Sequence, residues 1–316
     1  MRHNDENAGL MAEVASLYFE QGMSQQEIAA RLYFSRSKVS RLLTKAVEEN
    51  IVKITINYPL ERLDDIEEKI QKQFGLSTVI VIKSYDTTYH TLIRMIGKAA
   101  ARYLDEVLPY HGTIGITWGE TVYSTIEAME PARKKDIRVV PLMGMTEDCH
   151  NSAYDTPELV RKMVDKYGGS YSQIYSPLVV ENDLVRNSLI REPIIKRVLQ
   201  DAREVGIVLT SVGEFYNSRT KAWENHFTPE VKKRLEEEGT VGVLLAHFIR
   251  NDGSLADEAL DKKVIGISLE ELKAIKNVVL VAGGERKART VLGAVRGGYI
   301  NTLIVDETLA VKMLES

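Results

Sequence analysis

Short apolar runs rich in β-branched residues alternate with amphipathic segments from Ser77 to the end of the chain. Strands are predicted at Thr78–Ile82, Thr113–Thr117, Ile137–Leu142, Ile207–Ser211, Val278–Ala282 and Thr302–Val305. Helices are predicted at Leu92–Val107, Thr121–Met129, Pro157–Tyr167, Ile194–Glu204, Pro229–Glu238, Leu269–Ile275, Arg286–Arg296 and Thr308–Leu314. This alternation predicts an α/β fold, in which a mostly parallel, Rossmann-like sheet is covered by helices on both faces.

Three loops that follow predicted strands carry residues suited to binding a small anion. The first contains Gly119, Glu120 and Thr121, the second contains Gly283, Gly284 and Lys287, and the third runs from Gly144 to Tyr154 and includes Asn151. Ligands of parallel sheets bind at the carboxyl ends of the strands, where loops lead into helices. Glycine and hydroxyl residues at a helix N-terminus can expose backbone N–H groups to an anion. Each loop alone could be only a tight turn, but two of them at one sheet edge favour a binding site.

The first sixty residues have a different pattern, with three short helices in helix-turn-helix spacing. The first helix is predicted at Ala8–Gln21, with Gly22 ending it. Ser24 caps the second helix and forms a capping box with Glu27. Ser35 caps the third helix, and the shared core consists of Ile28, Ala29, Leu32, Val39 and Leu42. Tyr33 occupies a turn position where glycine is common, which predicts either a slightly different turn or a left-handed backbone at this residue.

A basic stripe covers the outer face of the third helix. Residues 31 to 45 contain five bases and no acid, although the net charge of the whole chain is −4. A DNA backbone responds to such a local stripe more than to the distant total charge. The predicted DNA-binding residues are Ser35, Arg36, Ser37, Lys38, Ser40, Arg41 and Lys45. A solvated face of a small helical subdomain, or a helix-turn-helix used only for protein contacts, is the alternative.

The boundary between two domains is predicted near Tyr58. Ile51–Asn57 alternates and is β-branched, which predicts a strand that could be a wing, and Pro59 ends it. The DNA-binding domain would then comprise residues 1–58 and the larger domain residues 59–316. The amphipathic helix Leu60–Phe74 is either a dimerising linker or the first helix of the larger domain.

Composition narrows the class of protein further. Cys149 is the one cysteine, so no intramolecular disulfide and no zinc cluster of cysteines can form. No apolar run approaches the roughly 18 residues of a membrane span, and the N-terminus lacks the apolar core of a signal peptide. We therefore expect a cytoplasmic protein without a metal, a cofactor or a membrane partner.

The residues resemble a known family along essentially the whole chain. The stretch SLYFEQGMSQQEIAARLYFSRSKVSRLL resembles the N-terminus of the SorC/DeoR-type family of sugar-responsive regulators. ITWGET, VVPLMG and VLVAGGERKARTVLGAVRGGYINTLIVDE resemble that family's effector domain, and the AGG-x-x-K and GG-Y-I-N-x-L-I-x-D motifs are the most specific. The resemblance implies a winged or homeodomain-like helix-turn-helix and a sugar-phosphate-isomerase-like effector domain. It also implies binding to double-stranded operator DNA as a homodimer or homotetramer, with a phosphorylated sugar or polyol as the effector.

The resemblance assigns roles to matching positions only. Gly119 and Thr121 match the family's first phosphate loop, and Gly283, Gly284 and Lys287 match its C-terminal loop. Asn151 and Tyr154 match a loop that faces the sugar in family members.

Three departures from the family pattern affect the pocket. Met143 stands where members often carry lysine or arginine, and Val243 replaces the acid of a V-G-[DE] motif. Ile249 and Arg250 replace an aromatic-Asp pair. These changes suggest a smaller or less charged effector. They also argue against the alternative function, a sugar-phosphate isomerase, which needs a positioned carboxylate base; we expect no catalytic residues and a regulator of a sugar or polyol operon.

Overall fold

The computed structural model describes residues 2–53, 58–146, 152–215 and 227–316. The chain divides into two compact units, Met1–Pro59 and Leu60–Ser316, and each has its own hydrophobic core. Among the described residues, no helix is both long and apolar enough to cross a membrane.

The smaller unit consists of three helices. They are α1 (Arg2–Ala15, continued by a π-helical turn at Ser16–Glu20), α2 (Gln25–Arg31) and α3 (Arg36–Glu48). The helix-turn-helix prediction is confirmed, including the capping box between Ser24 and Glu27 and the Ser35 cap. Val14, Ile28 and Val39 are fully buried in the core. Helix α1 begins earlier than predicted.

The predicted strand after α3 does not form in its described part. Ile51 and Val52 form a bend and pack, partly buried, against the helical core. Residues 54–57, which make up the rest of that prediction, lie outside the described residues.

A seven-stranded, fully parallel sheet is the centre of the larger unit. Its strands are β1 (Thr78–Ile82), β2 (His111–Ile116), β3 (Asp136–Pro141), β4 (Gly169–Tyr171), β5 (Ile207–Thr210), β9 (Asn277–Ala282) and β10 (Thr302–Asp306). All six predicted strands are present, and β4 adds an edge strand that was not predicted. Their order is β1-β10-β9-β5-β2-β3-β4. The chain therefore runs from β2 toward one edge and from β5 toward the other, which makes the gap between β2 and β5 the topological switch point.

A small antiparallel sheet was missed by the sequence prediction. It consists of β6 (Val212–Glu214), β7 (Thr240–Leu244) and β8 (His247–Arg250). Leu245 and Ala246 form the turn between β7 and β8, both with positive φ and both buried. Gly242 packs against the larger unit's helices so closely that a Cβ there would lie 2.2 Å from Thr290 Oγ1.

Helices cover the parallel sheet. They are α4 (Asp64–Phe74), α5 (Tyr89–Val107), α6 (Glu120–Glu127), α7 (Thr156–Tyr167), α8 (Asp183–Leu189), α9 (Pro193–Arg203), α10 (Pro229–Glu237), α11 (Glu258–Asp261), α12 (Leu269–Lys273), α13 (Ala288–Arg296) and α14 (Glu307–Leu314). All eight helices predicted after Ser77 are present with shifted ends, and α8 and α11 were not predicted.

Helix α4 is the first helix of the larger unit. Ile70 is fully buried in that unit's core. The buried carboxylate of Glu67 accepts hydrogen bonds from the Val81 amide at 2.9 Å and from Arg62 Nε at 3.0 Å. The carboxylate thus links α4 to strand β1. This favours the interpretation of α4 as the first helix of the larger domain over its interpretation as a dimerising linker.

Replacing Glu67 with alanine should lower the free energy of unfolding of the larger unit by about 2–3 kcal/mol. The Val81 amide would lose its acceptor in a buried site, and Arg62 would lose its partner. Urea unfolding of the full chain measures the change. Glu61→Ala is the matched control, because Glu61 pairs with Lys83 at an exposed site and its loss should cost less than about 1 kcal/mol. Equal unfolding midpoints for the two variants would contradict the prediction.

Candidate functional site

The carboxyl ends of β2 and β5 meet at a pair of buried threonines. Thr117 follows β2 and donates its amide N–H to Leu209 O at 3.2 Å. Its hydroxyl lies 3.3 Å from the Thr210 hydroxyl at the end of β5. The next residue, Ser211, has a buried hydroxyl with no hydrogen-bond partner in the described part of the chain. The switch point therefore presents a polar floor with bonding capacity left over.

The loop after β2 holds Gly119 in a conformation that suits glycine, with φ of 126°. The Gly119 amide donates to Tyr154 O at 3.0 Å, which joins the first and third predicted loops. Thr121 is buried in the first turn of α6, with 2% exposure. Gly119, Glu120 and Tyr154 therefore come together at the sheet edge, whereas the Thr121 side chain faces the interior.

Tyr154 also packs against α6. Its ring lies 4.9 Å from the Tyr123 ring, between centroids, and burial raises the pKa of Tyr123. Asn151 lies outside the described residues, as does the stretch from Glu147 to His150.

The loop after β9 is fixed by a buried carboxylate. Gly284, with φ of 87°, donates its amide to Asp306 Oδ1 at 2.7 Å. A Cβ at Gly283 would lie 2.4 Å from Ile96 Cδ1, so a larger residue there would require the Ile96 side chain to move. Contrary to the expectation from sequence, the Gly284 amide is not free to face an anion, because the carboxylate of Asp306 already occupies it.

Lys287 lies at the end of the same loop, in a short 3₁₀ turn that precedes α13. Burial lowers the pKa of Lys287, and the carboxylates of Glu214 and Glu120 partly oppose that shift. In the described part of the chain, Glu214 and Glu120 act on the Lys287 ammonium group through longer-range charge and not through a hydrogen bond. Glu120, in the loop after β2, is thus close enough to Lys287, in the loop after β9, for its charge to affect the lysine pKa.

Three residues at this edge were not found by the sequence analysis. Glu214 lies on β6, which follows the end of β5 almost directly. His90 Nδ1 lies 3.7 Å from Glu120 Oε1. The Tyr89 ring lies 3.6 Å from where a Gly284 Cβ would be. The start of α5 therefore contacts both glycine loops. The sequence did not indicate this, because α5 is far along the chain from the loop that contains Gly284.

The departures from the family pattern occupy different environments. Met143 is a core residue with 1% exposure. Val243 is opposite Gly213 in the small sheet, one position from the register pair of Glu214 and Gly242. Arg250 bonds the carboxylate and carbonyl of Glu238 and the carbonyls of Leu255 and Ala256, so its role is structural. Glu214 is in register with Gly242 and so points to the opposite face of the small sheet from Val243, which means that it does not replace a carboxylate at that position.

The predicted DNA-binding residues lie on α3 or cap it. Ser35 accepts a hydrogen bond from the Lys38 amide at 3.2 Å. The exposed members are Ser35, Arg36, Ser37, Arg41 and Lys45, and the half-buried members are Lys38 and Ser40. Lys38 Nζ lies 3.5 Å from the centroid of the Phe34 ring. Most of the basic stripe is therefore accessible to solvent, whereas Lys38 makes a cation–π contact with the Phe34 ring.

Comparisons with known proteins agree on both units. The family model Sugar-bind, a sugar-binding domain, matches residues 58–315, and the model of sigma-70 region 4, a helix-turn-helix module, matches residues 11–49. The chain is 29% identical over 305 residues to the deoxyribonucleoside regulator of Bacillus subtilis, covering 96% of this chain and 97% of the relative. It is 26% identical over 313 residues to the sorbitol operon regulator of Klebsiella pneumoniae, covering 99% of both.

Solved structures give the same result. The crystal structure of the full-length sorbitol operon regulator SorC from Klebsiella pneumoniae superimposes with a TM-score of 0.76 at 26% identity, covering 96% of this chain and 98% of that one. A sugar-binding domain of a transcriptional repressor from Vibrio fischeri superimposes with a TM-score of 0.74 at 25% identity, covering 80% and 98%.

Proposed function

Because the chain belongs to the SorC/DeoR-type family of sugar-binding transcriptional regulators, we propose that it controls a sugar or polyol operon in the cytoplasm in response to a small phosphorylated-sugar-like effector. The observation that carries this proposal is that the start of α5 contacts both glycine loops at the sheet edge, with His90 3.7 Å from Glu120 and the Tyr89 ring 3.6 Å from a Cβ at Gly284. The same chain also presents a basic recognition helix.

The residues at the switch point suit a ligand with several hydroxyl groups and limited negative charge. Carboxylates such as Glu120 and Glu214 accept hydrogen bonds from sugar hydroxyls. Lys287 offers a charge-assisted bond to a phosphate or hydroxyl oxygen, and the Ser211 hydroxyl has capacity for one more. With two acids near one lysine, a second phosphate would meet repulsion. We therefore propose an effector with a single anionic group.

The smaller unit would place the start of α3 in the major groove. Arg36 would then approach base edges, while Arg41 and Lys45 would approach phosphates. One helix-turn-helix offers too few contacts to define a unique genomic site, so we propose that the chain acts as a homodimer or homotetramer. Light scattering measures that state.

The alternative, an isomerase-like enzyme, is favoured only by the presence of carboxylates near Lys287. Incubating the protein with aldose and ketose phosphates and following their interconversion tests it. We expect no turnover, because the relatives that the chain resembles along its length are transcriptional regulators.

Arg36→Ala should weaken binding to the preferred duplex by about 1–3 kcal/mol and relax specificity at one base pair. Lys45→Ala should instead weaken binding to all duplexes alike and reduce the salt slope by about one charge. The probe is a duplex that the wild-type chain selects from a random-sequence library, measured by mobility shift. Lys69→Ala, an exposed lysine of α4, is the control. If the wild type selects no duplex, the proposed function fails; if both variants bind as the wild type does, the recognition helix is misassigned.

A further inference from the structure

Tyr33 combines two features that contacts within the smaller unit do not account for. Its φ is 55°, in the left-handed region that a bulky L-residue rarely adopts. Its side chain is also 96% exposed. A left-handed backbone at such a residue is unfavourable, and packing within the unit does not offset it.

The other non-glycine residues with positive φ among those described have an evident compensation. Leu245 and Ala246 are buried at the turn of the β7–β8 hairpin, with 4% and 2% exposure. Asn50 has φ of 58°, but asparagine tolerates this region because its short polar side chain can bond locally. Tyr33 differs from all three, since it is bulky and exposed.

The position of Tyr33 relative to the recognition helix is fixed by its neighbours. Phe34 donates its amide to Ala29 O at 2.9 Å, and its ring packs partly buried against the core beneath Lys38. Ser35 then caps α3, and the exposed Arg36 follows. The turn therefore directs one aromatic ring inward and presents the other beside the first residues of α3.

We propose that Tyr33 contacts operator DNA, with its phenol O–H donating to a phosphate that borders the major groove. This inference rests on the proposed DNA-binding function. When the N-terminal end of a recognition helix enters the groove, the preceding helix crosses the sugar-phosphate backbone. The turn that joins the two helices, where Tyr33 lies, is therefore close to that backbone. Tyrosine is among the side chains that bond phosphate oxygens. Because the phenol is uncharged, its contact adds affinity without changing the salt dependence.

Tyr33→Gly and Tyr33→Phe test the contact separately from folding. Glycine adopts φ of 55° without a steric penalty, so Tyr33→Gly should keep or raise the thermal midpoint of the full chain. It should nevertheless weaken binding about tenfold. Tyr33→Phe should keep the midpoint and lose a large part of the same affinity. The probes are the duplex selected by the wild type from a random-sequence library and a scrambled duplex of equal composition, each titrated at several salt concentrations.

Two controls match the changes in chemistry. Asn50→Gly introduces glycine at the other exposed non-glycine residue with positive φ among the described residues of the smaller unit. Tyr110→Phe removes a hydroxyl from an exposed tyrosine of the larger unit. Both should bind as the wild type does. The inference is supported if the Tyr33 variants lose affinity equally on both duplexes with an unchanged salt slope.

Wild-type affinity of Tyr33→Gly for both duplexes would overturn the inference. A lower thermal midpoint of that variant would also overturn it, because Tyr33 would then serve the fold. A loss confined to one base pair of the selected duplex would replace a phosphate contact with a base contact. If the wild type selects no duplex at all, the failure lies with the proposed function instead.

Discussion

Asp306→Ala should lower the free energy of unfolding of the larger unit by about 3–5 kcal/mol. Asp306 is fully buried at the end of β10. Its Oδ1 accepts the Gly284 amide at 2.7 Å, and its Oδ2 accepts the Ser84 hydroxyl and the Thr308 amide, both at 3.1 Å. Alanine would remove the shared acceptor of the half-buried donors Gly284 and Ser84 and of the exposed Thr308 amide. The cap of α14 would be lost with it.

Substitution with asparagine separates charge from geometry at the same position. Asp306→Asn keeps one acceptor oxygen but turns an amide N–H₂ toward groups that are themselves donors, so we expect about 2–3 kcal/mol of destabilisation. Asp252→Ala is the control. Asp252 bonds Ser254 at an exposed turn, and surface changes of this kind usually stay within about 0.5 kcal/mol. Urea unfolding of the full chain measures all three. A midpoint for Asp306→Ala equal to that of Asp252→Ala would show that the donors find other acceptors.

The central strands could be predicted from sequence because burial on both faces requires continuous apolar runs. The small antiparallel sheet could not be predicted, because its strands are short and β6 pairs with β7 from far along the chain. Gly213 and Gly242 weaken the strand pattern. The turn at Leu245 and Ala246 also lacks the glycine or asparagine that normally marks such a hairpin. Leu245 and Ala246 are instead held in this turn by their burial, which the sequence pattern does not show.

The sequence predicted which glycine loops lie at the candidate site, but it did not predict the hydrogen-bond partners of their amides. Gly119 and Gly284 both have positive φ, in loops that the sequence placed between strands and helices. Their amides, however, are bonded to Tyr154 O and Asp306, which come from distant parts of the chain. Glu214 was missed because the short strand β6, which follows β5 almost directly, was not predicted.

Lys287→Met should abolish the response to effector while leaving DNA binding intact. Methionine fills a similar volume without charge, so the loop keeps its packing. The lost charge-assisted bond is worth about 1.5–3 kcal/mol, which corresponds to roughly 10- to 150-fold weaker effector binding. Because coupling between effector and DNA is reciprocal, a chain that no longer binds effector cannot shift its affinity for operator.

The measurement has two stages. A thermal-shift panel of sugars, sugar phosphates and polyol phosphates identifies a ligand, which at 100 times its Kd should add about 2.7 kcal/mol. Titration of the selected duplex with and without that ligand then compares wild type, Lys287→Met and Arg286→Ala. Arg286 is the control, as an exposed base one residue away in the same turn. A Lys287→Met chain that responds at the wild-type ligand concentration would remove this loop from the effector site.

The pH dependence gives an independent check on Lys287, because burial lowers its pKa from 10.5. Between that lowered value and 10.5, the unfolded chain binds more protons than the folded one, so the stability of the wild type relative to Lys287→Met should rise with pH. Affinity for an anionic ligand should change in the opposite direction. Above the folded-state pKa the amine is neutral and offers no charge, so affinity should fall as pH rises through that value. In Lys287→Met both trends should disappear. A wild-type affinity that stays constant over this pH range would show that another group holds the anion.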